Sequence, residues 1–350
     1  MRLTLLFSGL LLVTCSTANA NSLRTRDTHL DNLNDINYNL AFTCVHEKIP
    51  SAPGDTDVLF KYARWLQKNN ELKQDKTVDA EIERLYRIAA ENQHYKANVN
   101  LQNGTARGQF KLRGAEVLRL SQQLIEANVA AGYYLIGTYL QRGVAGLQQD
   151  SEMALRYYRK GADMGNPQAQ TYVAEKLEPI GIAPNVARNM RWCAAEQGSG
   201  EAATALGNDL SIDKHYQESL EAFQLGVAAG DETAAFFLEN AFQGPNANNN
   251  LYFLNQKEDL KRVDRYREIG KLLGGWSYAN PTVPEINDIV PLPPAKLPAW
   301  DGKLKWIEER KANVQPPKPT EALIEQLAKA RLLDPKTGKP LPESPLYEKD

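Results

Sequence analysis

The sequence predicts an all-α, right-handed solenoid of helix–turn–helix repeats closed by a Pro-rich C-terminal capping tail. Three observations predict it. Small residues recur in one phase at Ala97, Gly132, Ala169, Ala202 and Ala234, with separations of 35, 37, 33 and 32 residues. Four residues before each stands a position suited to ending a helix: Asn128, Gly165, Gly198 and Gly230, with Gln93 as the atypical member. No segment alternates apolar and polar residues as a half-buried strand would. A period near 34 is that of two short helices and their turns, a unit that buries its apolar face only by stacking on its neighbours.

Each small residue opens a first helix. Four residues on comes a large apolar residue, Leu101, Ile136, Val173, Leu206 or Leu238. The next position is small in three copies, at Gly137, Ala174 and Gly207, so a neighbouring helix can approach closely there. Val58, Tyr62 and Ala63 carry the pattern once more, which makes six first helices. The second helices place Leu85-Tyr86, Leu120, Tyr157-Tyr158, Met190 and Phe223 seven or eight residues before the turn. Ala89, Leu124, Gly161, Ala194 and Gly226 follow four residues before it. Alternation of bulky and mostly small residues along one stripe reads as core packing, not as a cofactor box.

Residues 1–20 read as an export signal: Arg2, an apolar run from Leu3 to Val13, and a small-x-small cleavage site at Ala18-Asn19-Ala20. The run is shorter than the roughly 20 residues that span a bilayer. A second reading ends the signal at residue 14. Leu12-Val13-Thr14-Cys15 resembles a lipobox, in which Cys15 would be lipidated, although Thr14 is a poor fit before the cysteine. Both readings place the mature chain in the periplasm, soluble or anchored to the outer membrane through Cys15. Residues 21–55 form an extended arm. That compartment is oxidising, so Cys44 and Cys193 are either two buried thiols or a bridge tying the arm to the array.

The repeats occupy residues 56–275. From Trp276 to residue 350 the composition changes, and Pro281, Pro284, Pro291, Pro293, Pro294 and Pro298 exclude a helix array. A helix after Asp301-Gly302 carries Leu304, Trp306 and Ile307, and Thr320 caps a last helix with Leu323, Ile324, Leu327 and Ala328 inward. This tail covers the last repeat, with Trp300 and Trp306 as its cap, or takes part in partner contact. Asp334 to Asp350 reads as loose.

Composition excludes several functions. The net charge of −2 gives no basic surface for nucleic acid. Four His and three Cys fall in no metal-ligand spacing, and neither a cofactor nor a metal is implied. His94 and His215 sit near helix ends, where the dipole suits an imidazole. No GxSxG, HExxH or P-loop is present, so no catalytic residue is named and the chain reads as a non-enzyme.

Gly132 to Ala169, GYYLIGTYLQRGVAGLQQDSEMALRYYRKGADMGNPQA, resembles the SEL-one-like repeat, a relative of the tetratricopeptide repeat, and Trp192 to Ala202 carries the same ending. The segment LAFTCVHEKIP (Leu40 to Pro50) and the tail from Leu292 to Pro342 resemble the N- and C-terminal regions of a bacterial family of exported SEL-one-like proteins. That family is similar to immunity proteins encoded beside type VI secretion effectors, particularly phospholipases. The resemblance implies a protein partner of the lipase or phospholipase class, bound and neutralised directly. The alternative is a general envelope scaffold with no toxin partner. Aromatic and Arg side chains anchor most protein contacts. The residues outside the repeated core positions that fit are Tyr133, Tyr139, Arg142, Tyr172 and Trp192, each of which could instead pack between repeats.

Overall fold

The computed structural model describes residues 40–178 and 183–347; the signal segment, Cys15 and the start of the arm lie outside these residues. Six helix pairs follow one another: α1 (Gly54–Asn70) with α2 (Lys76–Glu91), α3 (Tyr95–Ala106) with α4 (Gly114–Glu126), α5 (Ala131–Arg142) with α6 (Ser151–Asp163), α7 (Pro167–Leu177) with α8 (Pro184–Glu196), α9 (Gly200–Ile212) with α10 (Tyr216–Ala228), and α11 (Glu232–Ala241) with α12 (Leu260–Gly275). The tail adds α13 (Ile286–Ile289), α14 (Lys305–Ala312) and α15 (Glu321–Lys329). Among the described residues the β-structure is one isolated bridge, Leu333 to Pro340. No described helix is long and apolar enough to cross a membrane.

The repeat frame has a backbone cause. Gln93, Asn128, Gly165, Gly198 and Gly230 all adopt left-handed φ angles, 67°, 58°, 102°, 89° and 91°. The amide of the following residue then bonds back to the carbonyl five residues earlier. These bonds are His94 to Ala89 (3.0 Å), Val129 to Leu124 (2.8 Å), Asn166 to Gly161 (2.9 Å), Ser199 to Ala194 (3.0 Å) and Asp231 to Gly226 (2.9 Å). This satisfies a helix-end carbonyl and reverses the chain into the next first helix. Gln93 therefore conforms to the pattern that its side chain predicted against. Its repeat holds the turn by the same pair of backbone bonds, with Gln93 N–H on the Ala90 carbonyl (3.1 Å).

The residue after the turn then caps the new helix. Asn166 Oδ1 accepts from Ala169 N–H (2.9 Å) and Ser199 Oγ from Ala202 N–H (3.3 Å). His94 Nδ1 accepts from Ala97 N–H (3.1 Å). This corrects the expectation for the histidines. His94 and His215 both stand at helix N-termini, where a protonated ring opposes the dipole. His94 serves as a neutral acceptor, and its burial pushes its pKa down.

The phased small residues Ala97, Ala169, Ala202 and Ala234 are fully buried. Gly137 and Gly207 are small because rings lie on them: a Cβ would come within 2.9 Å of Tyr158 and 2.7 Å of Phe223.

The tail covers both ends of the array, not the last repeat alone. Val283, Ile286, Ile289, Val290, Leu304 and Ile307 join one core with α10, α11 and α12. Trp300 and Trp306 are partly buried against it. A Pro-rich chain has few amides with which to build a ladder, and arginines collect its carbonyls instead. Arg262 donates to Pro291 O (3.0 Å) and Ala295 O, and Arg265 to Pro298 O. Beyond α14 the chain reaches the first repeat. Ile324, Leu327, Ala328 and Leu333 pack with Leu59, Ile82, Leu85 and Ile88 of α1 and α2. Each apolar side chain so buried contributes about 1.5–3 kcal/mol. Arg84 ties this contact from α2, donating to Pro335 O and to Glu321 (both 2.6 Å). The stretch after Asp334 is therefore not loose through Tyr347. A turn closed by Asp334 N–H on Lys339 O (2.8 Å) sits against α2, and Leu341 N–H bonds to Leu332 O (2.8 Å).

The junction of tail and last repeat is tight at Gly230, where a Cβ would lie 1.8 Å from the Pro281 carbonyl oxygen. Gly198 has nearly the same φ but nothing within 4 Å of that position. Gly198→Ala should cost only the backbone strain, about 1 kcal/mol. Gly230→Ala should cost that plus displacement of the tail, about 3 kcal/mol or more in total. Urea unfolding of the two variants checks this, and equal losses would mean that the tail does not dock there.

Candidate partner-binding surface

The arm defines one edge of the array. The structure bonds Cys44 to Cys193, with Cα atoms 5.5 Å apart across a sequence separation of 149. His46, with its ring nitrogen 3.2 Å from a Glu196 carboxylate oxygen, and the backbone of Val45 and Glu47, bonded to Gln170 (3.0 Å) and Gln197 (2.8 Å), hold the arm across α7 and α8. The two sulfurs and the His46 ring nitrogen lie within 4.8 Å of one another. The bond between the sulfurs consumes the thiolates that a metal ion would need.

Glu47 does a job that the repeat itself lacks. Helix α5 is preceded by Ala130, which has no capping side chain. The Glu47 carboxylate accepts from Ala131 N–H (2.6 Å) and from Asn166 Nδ2 (3.1 Å), so it caps α5 and braces the cap of α7. Burial raises its pKa, and these two bonds only partly oppose that.

The partner candidates do not form one surface. Tyr172 on α7 meets Gln141, the residue before Arg142 at the end of α5, the preceding first helix. The Tyr172 ring lies 4.1 Å from that of Tyr158, with Lys176 Nζ 5.1 Å above its face. Gln141 links the two tyrosines: Nε2 donates to Tyr172 Oη (2.8 Å), and Oε1 accepts from Tyr158 (2.7 Å). Tyr134 adds a third ring, 5.6 Å from Tyr158. Tyr158 is buried and its pKa is raised by desolvation, so it supports the patch, while Tyr172 is half-buried and Arg142 and Lys176 are exposed. A half-buried aromatic, two cations and a fixed amide make a surface suited to a protein contact.

The other candidates lie elsewhere. Tyr133 is half-buried, with its ring 6.2 Å from Tyr157 rather than among the Tyr158 group. Trp192 sits on α8, a second helix. There it partly covers Leu206 and Leu210 in a groove shared with Arg188 and His215, and it donates to Glu196 (3.0 Å). Tyr139 is a correction. It is 6% exposed in the core between α4 and α5, and its hydroxyl donates to the buried Gln102 (2.9 Å), so no partner can reach it. Its place follows from Leu135 and Tyr139 sharing a face, four residues apart. Sequence reasoning missed Tyr134, Gln141 and Lys176, although Tyr134, Thr138 and Gln141 recur at helical spacing.

Two outcomes follow from the arm. Glu47→Ala should cost about 1 kcal/mol through the lost cap. Because the folded pKa of Glu47 is raised, the stability linked to its protonation is fully present below about pH 4.5 and is lost as pH rises through the folded value. Glu47→Gln keeps an acceptor and should flatten that decline in a pH series of urea titrations; an unchanged slope would contradict the assignment. For the bridge, a thiol reagent should label neither Cys44 nor Cys193 in the unfolded, unreduced protein. Reduction should lower stability by up to about 5 kcal/mol on the chain-entropy estimate. Two labelled thiols would remove the bridge.

Residues 234–341, the last repeat with most of the tail, match the family described as "Domain of unknown function (DUF6396)". No curated protein matches the sequence. Among solved structures, Pseudomonas aeruginosa PA5086 is 26% identical, with 72% of this chain and 95% of that one covered and a TM-score of 0.54. The P. aeruginosa immunity protein Pa5087 is 24% identical, with coverages of 73% and 95% and a TM-score of 0.54. Immunity protein PA5088 from the same organism is 24% identical, with coverages of 72% and 94% and a TM-score of 0.55. The chain is thus an all-α helical repeat protein that shares its fold with these proteins and resembles immunity proteins of this kind.

Proposed function

We propose that this chain is a periplasmic immunity protein that neutralises a phospholipase effector of type VI secretion by direct binding. The observation that carries the reading is the likeness to Pa5087 and PA5088 over nearly the full length of both, each named as an immunity protein. The arm segment around Cys44 and the tail from Leu292 to Pro342, which carry the family resemblance in the sequence, are also the two segments that brace the array from outside the repeats. The periplasm follows from the signal segment and suits an oxidised Cys44–Cys193 pair.

Binding through the row of first helices gives the mechanism. Stable association needs about 800 Å² buried on each partner. Tyr172, Arg142 and Lys176 on α5 and α7 are the anchors of that contact. Neutralisation then consists of covering the effector's active site or its route to lipid, and it asks for no catalytic group in this chain.

The test is coexpression with a phospholipase encoded beside the gene. Cells exporting the effector should survive only with the exported protein, and expression without residues 1–20 should give no rescue. Tyr172→Ala and Arg142→Ala should each weaken the complex by about 2 kcal/mol at a true anchor, roughly 30-fold. Full resistance of a deletion strain, with no lipase copurifying, would replace this reading by the scaffold one.

A further inference from the structure

A chamber of about 710 Å³ lies between the first repeat and the tail. Its floor is a saturated polar network. Asp79 accepts from Asn70 (2.9 Å), Gln109 (2.8 Å) and Lys76 (3.0 Å), and Gln67 accepts from Tyr86 (2.9 Å) and Arg64 (2.8 Å). Asn70, Asp79 and Gln67 are all buried, so the floor is rigid and already neutralised. From the tail, Tyr278 and Trp306 form the opposite wall.

The walls carry an excess of positive charge. The lining holds five cations and two carboxylates. Both carboxylates are engaged, Glu71 with Arg310 (2.9 Å) and Asp79 with Lys76 (3.0 Å). Arg64, Lys68 and Arg107 form no ion pair among the described residues. The Lys68 pKa is lowered, by partial desolvation first and then by Arg64 and Arg310, against the pull of Glu71 and Glu309. Arg64 and Lys68 stand one turn apart on α1. On the neighbouring first helix α3, Asn100 and Asn103 lead in the same way to Arg107 at its end.

We propose that this chamber takes an extended acidic segment of the protein partner, an inference that rests on the protein-binding reading above. From Asn100 to Arg107 the row runs about 10 Å at 1.5 Å per residue, the length of about three extended residues. Arg64 and Lys68 on α1 and Arg107 at the end of α3 are separate cations on two helices, which match several carboxylates in series better than one compact phosphate. Asparagine amides offer both a donor and an acceptor, which is what a peptide backbone requires. Asn100 directs one N–H to the Tyr86 hydroxyl (3.4 Å), which fixes its plane and leaves its carbonyl oxygen for a peptide N–H. The segment is held because each carboxylate replaces water around an otherwise unpaired cation, in a space walled by two aromatic rings.

The experiment uses the mature chain and a fluorescein-labelled, end-blocked Asp-Glu-Asp-Glu peptide, with Asn-Gln-Asn-Gln as comparator, read by anisotropy. The acidic peptide should bind at least about tenfold more tightly than its amide counterpart, and the preference should vanish in Arg64→Gln/Arg107→Gln. Lys68→Ala, an exposed side chain whose loss leaves the floor intact, should weaken it independently by several-fold. Arg156→Gln, which removes an exposed cation on α6, should leave it unchanged. Equal binding of the two peptides, binding that survives both chamber variants, or displacement by inorganic phosphate or phosphatidylglycerol vesicles at matched charge would each overturn the proposal. Effector copurification separates the two readings: an effector that still binds the chamber variants at full strength sinks the chamber alone, whereas acidic-peptide binding with no effector copurifying sinks the immunity reading.

Discussion

A stack of helix pairs leaves an apolar face bare at each end, and the rest of this structure depends on how one tail covers both. At the last repeat, Val283, Ile286 and Leu304 enter the core of α10 to α12, and at the first, Ile324, Leu327 and Leu333 enter that of α1 and α2. A terminal repeat ordinarily needs its own polar capping helix. Here a single segment of about 70 residues serves both termini, which couples the first repeat to the last. The chamber exists for the same reason, since one of its walls is the array and the other is the tail.

The second brace is the arm. It lies across α7 and α8, and through Glu47 it caps α5 and braces the cap of α7. Glu47 supplies the acceptor that Ala130 cannot, and Cys44 anchors the segment to α8. Because these contacts use the edge, the outward sides of the first helices remain open around Tyr172 and Arg142. The surface proposed for binding is thereby distinct from the edge that the arm braces. Desolvation outweighs the two hydrogen bonds at Glu47, so the brace holds its carboxylate at an electrostatic cost. Such a cost is tolerated where the alternative is an uncapped, half-buried helix end.

Charge is arranged with similar economy. Arg262 and Arg265 hold proline-segment carbonyls, and Arg84 does the same for Pro335. Arg191, almost fully buried, pairs with both Glu178 and Asp209. Arg64 and Arg107, which form no ion pair among the described residues, line the chamber with Lys68. A net charge of −2 conceals this local excess, because the compensating carboxylates lie elsewhere on the helices.

The sequence by itself determined the repeat: its period, its turns and the buried small residues, because each follows from local backbone geometry and contacts between adjacent helices. Even the misjudged Gln93 fails only in side-chain preference, since two backbone bonds impose the left-handed turn there. The buried faces of α14 and α15 were legible from their apolar spacing as well. What those faces cover was not, because Leu327 shares a core with Ile88 across more than 200 residues, and no local pattern encodes that distance. The same holds for Glu47 capping Ala131, for the meeting of Tyr172 with Gln141, and for the burial of Tyr139, whose exposure turned on which neighbour its helix face met. Tertiary structure decided these because an aromatic or a carboxylate at helical spacing suits a core and a surface equally, and only the packed neighbour distinguishes them.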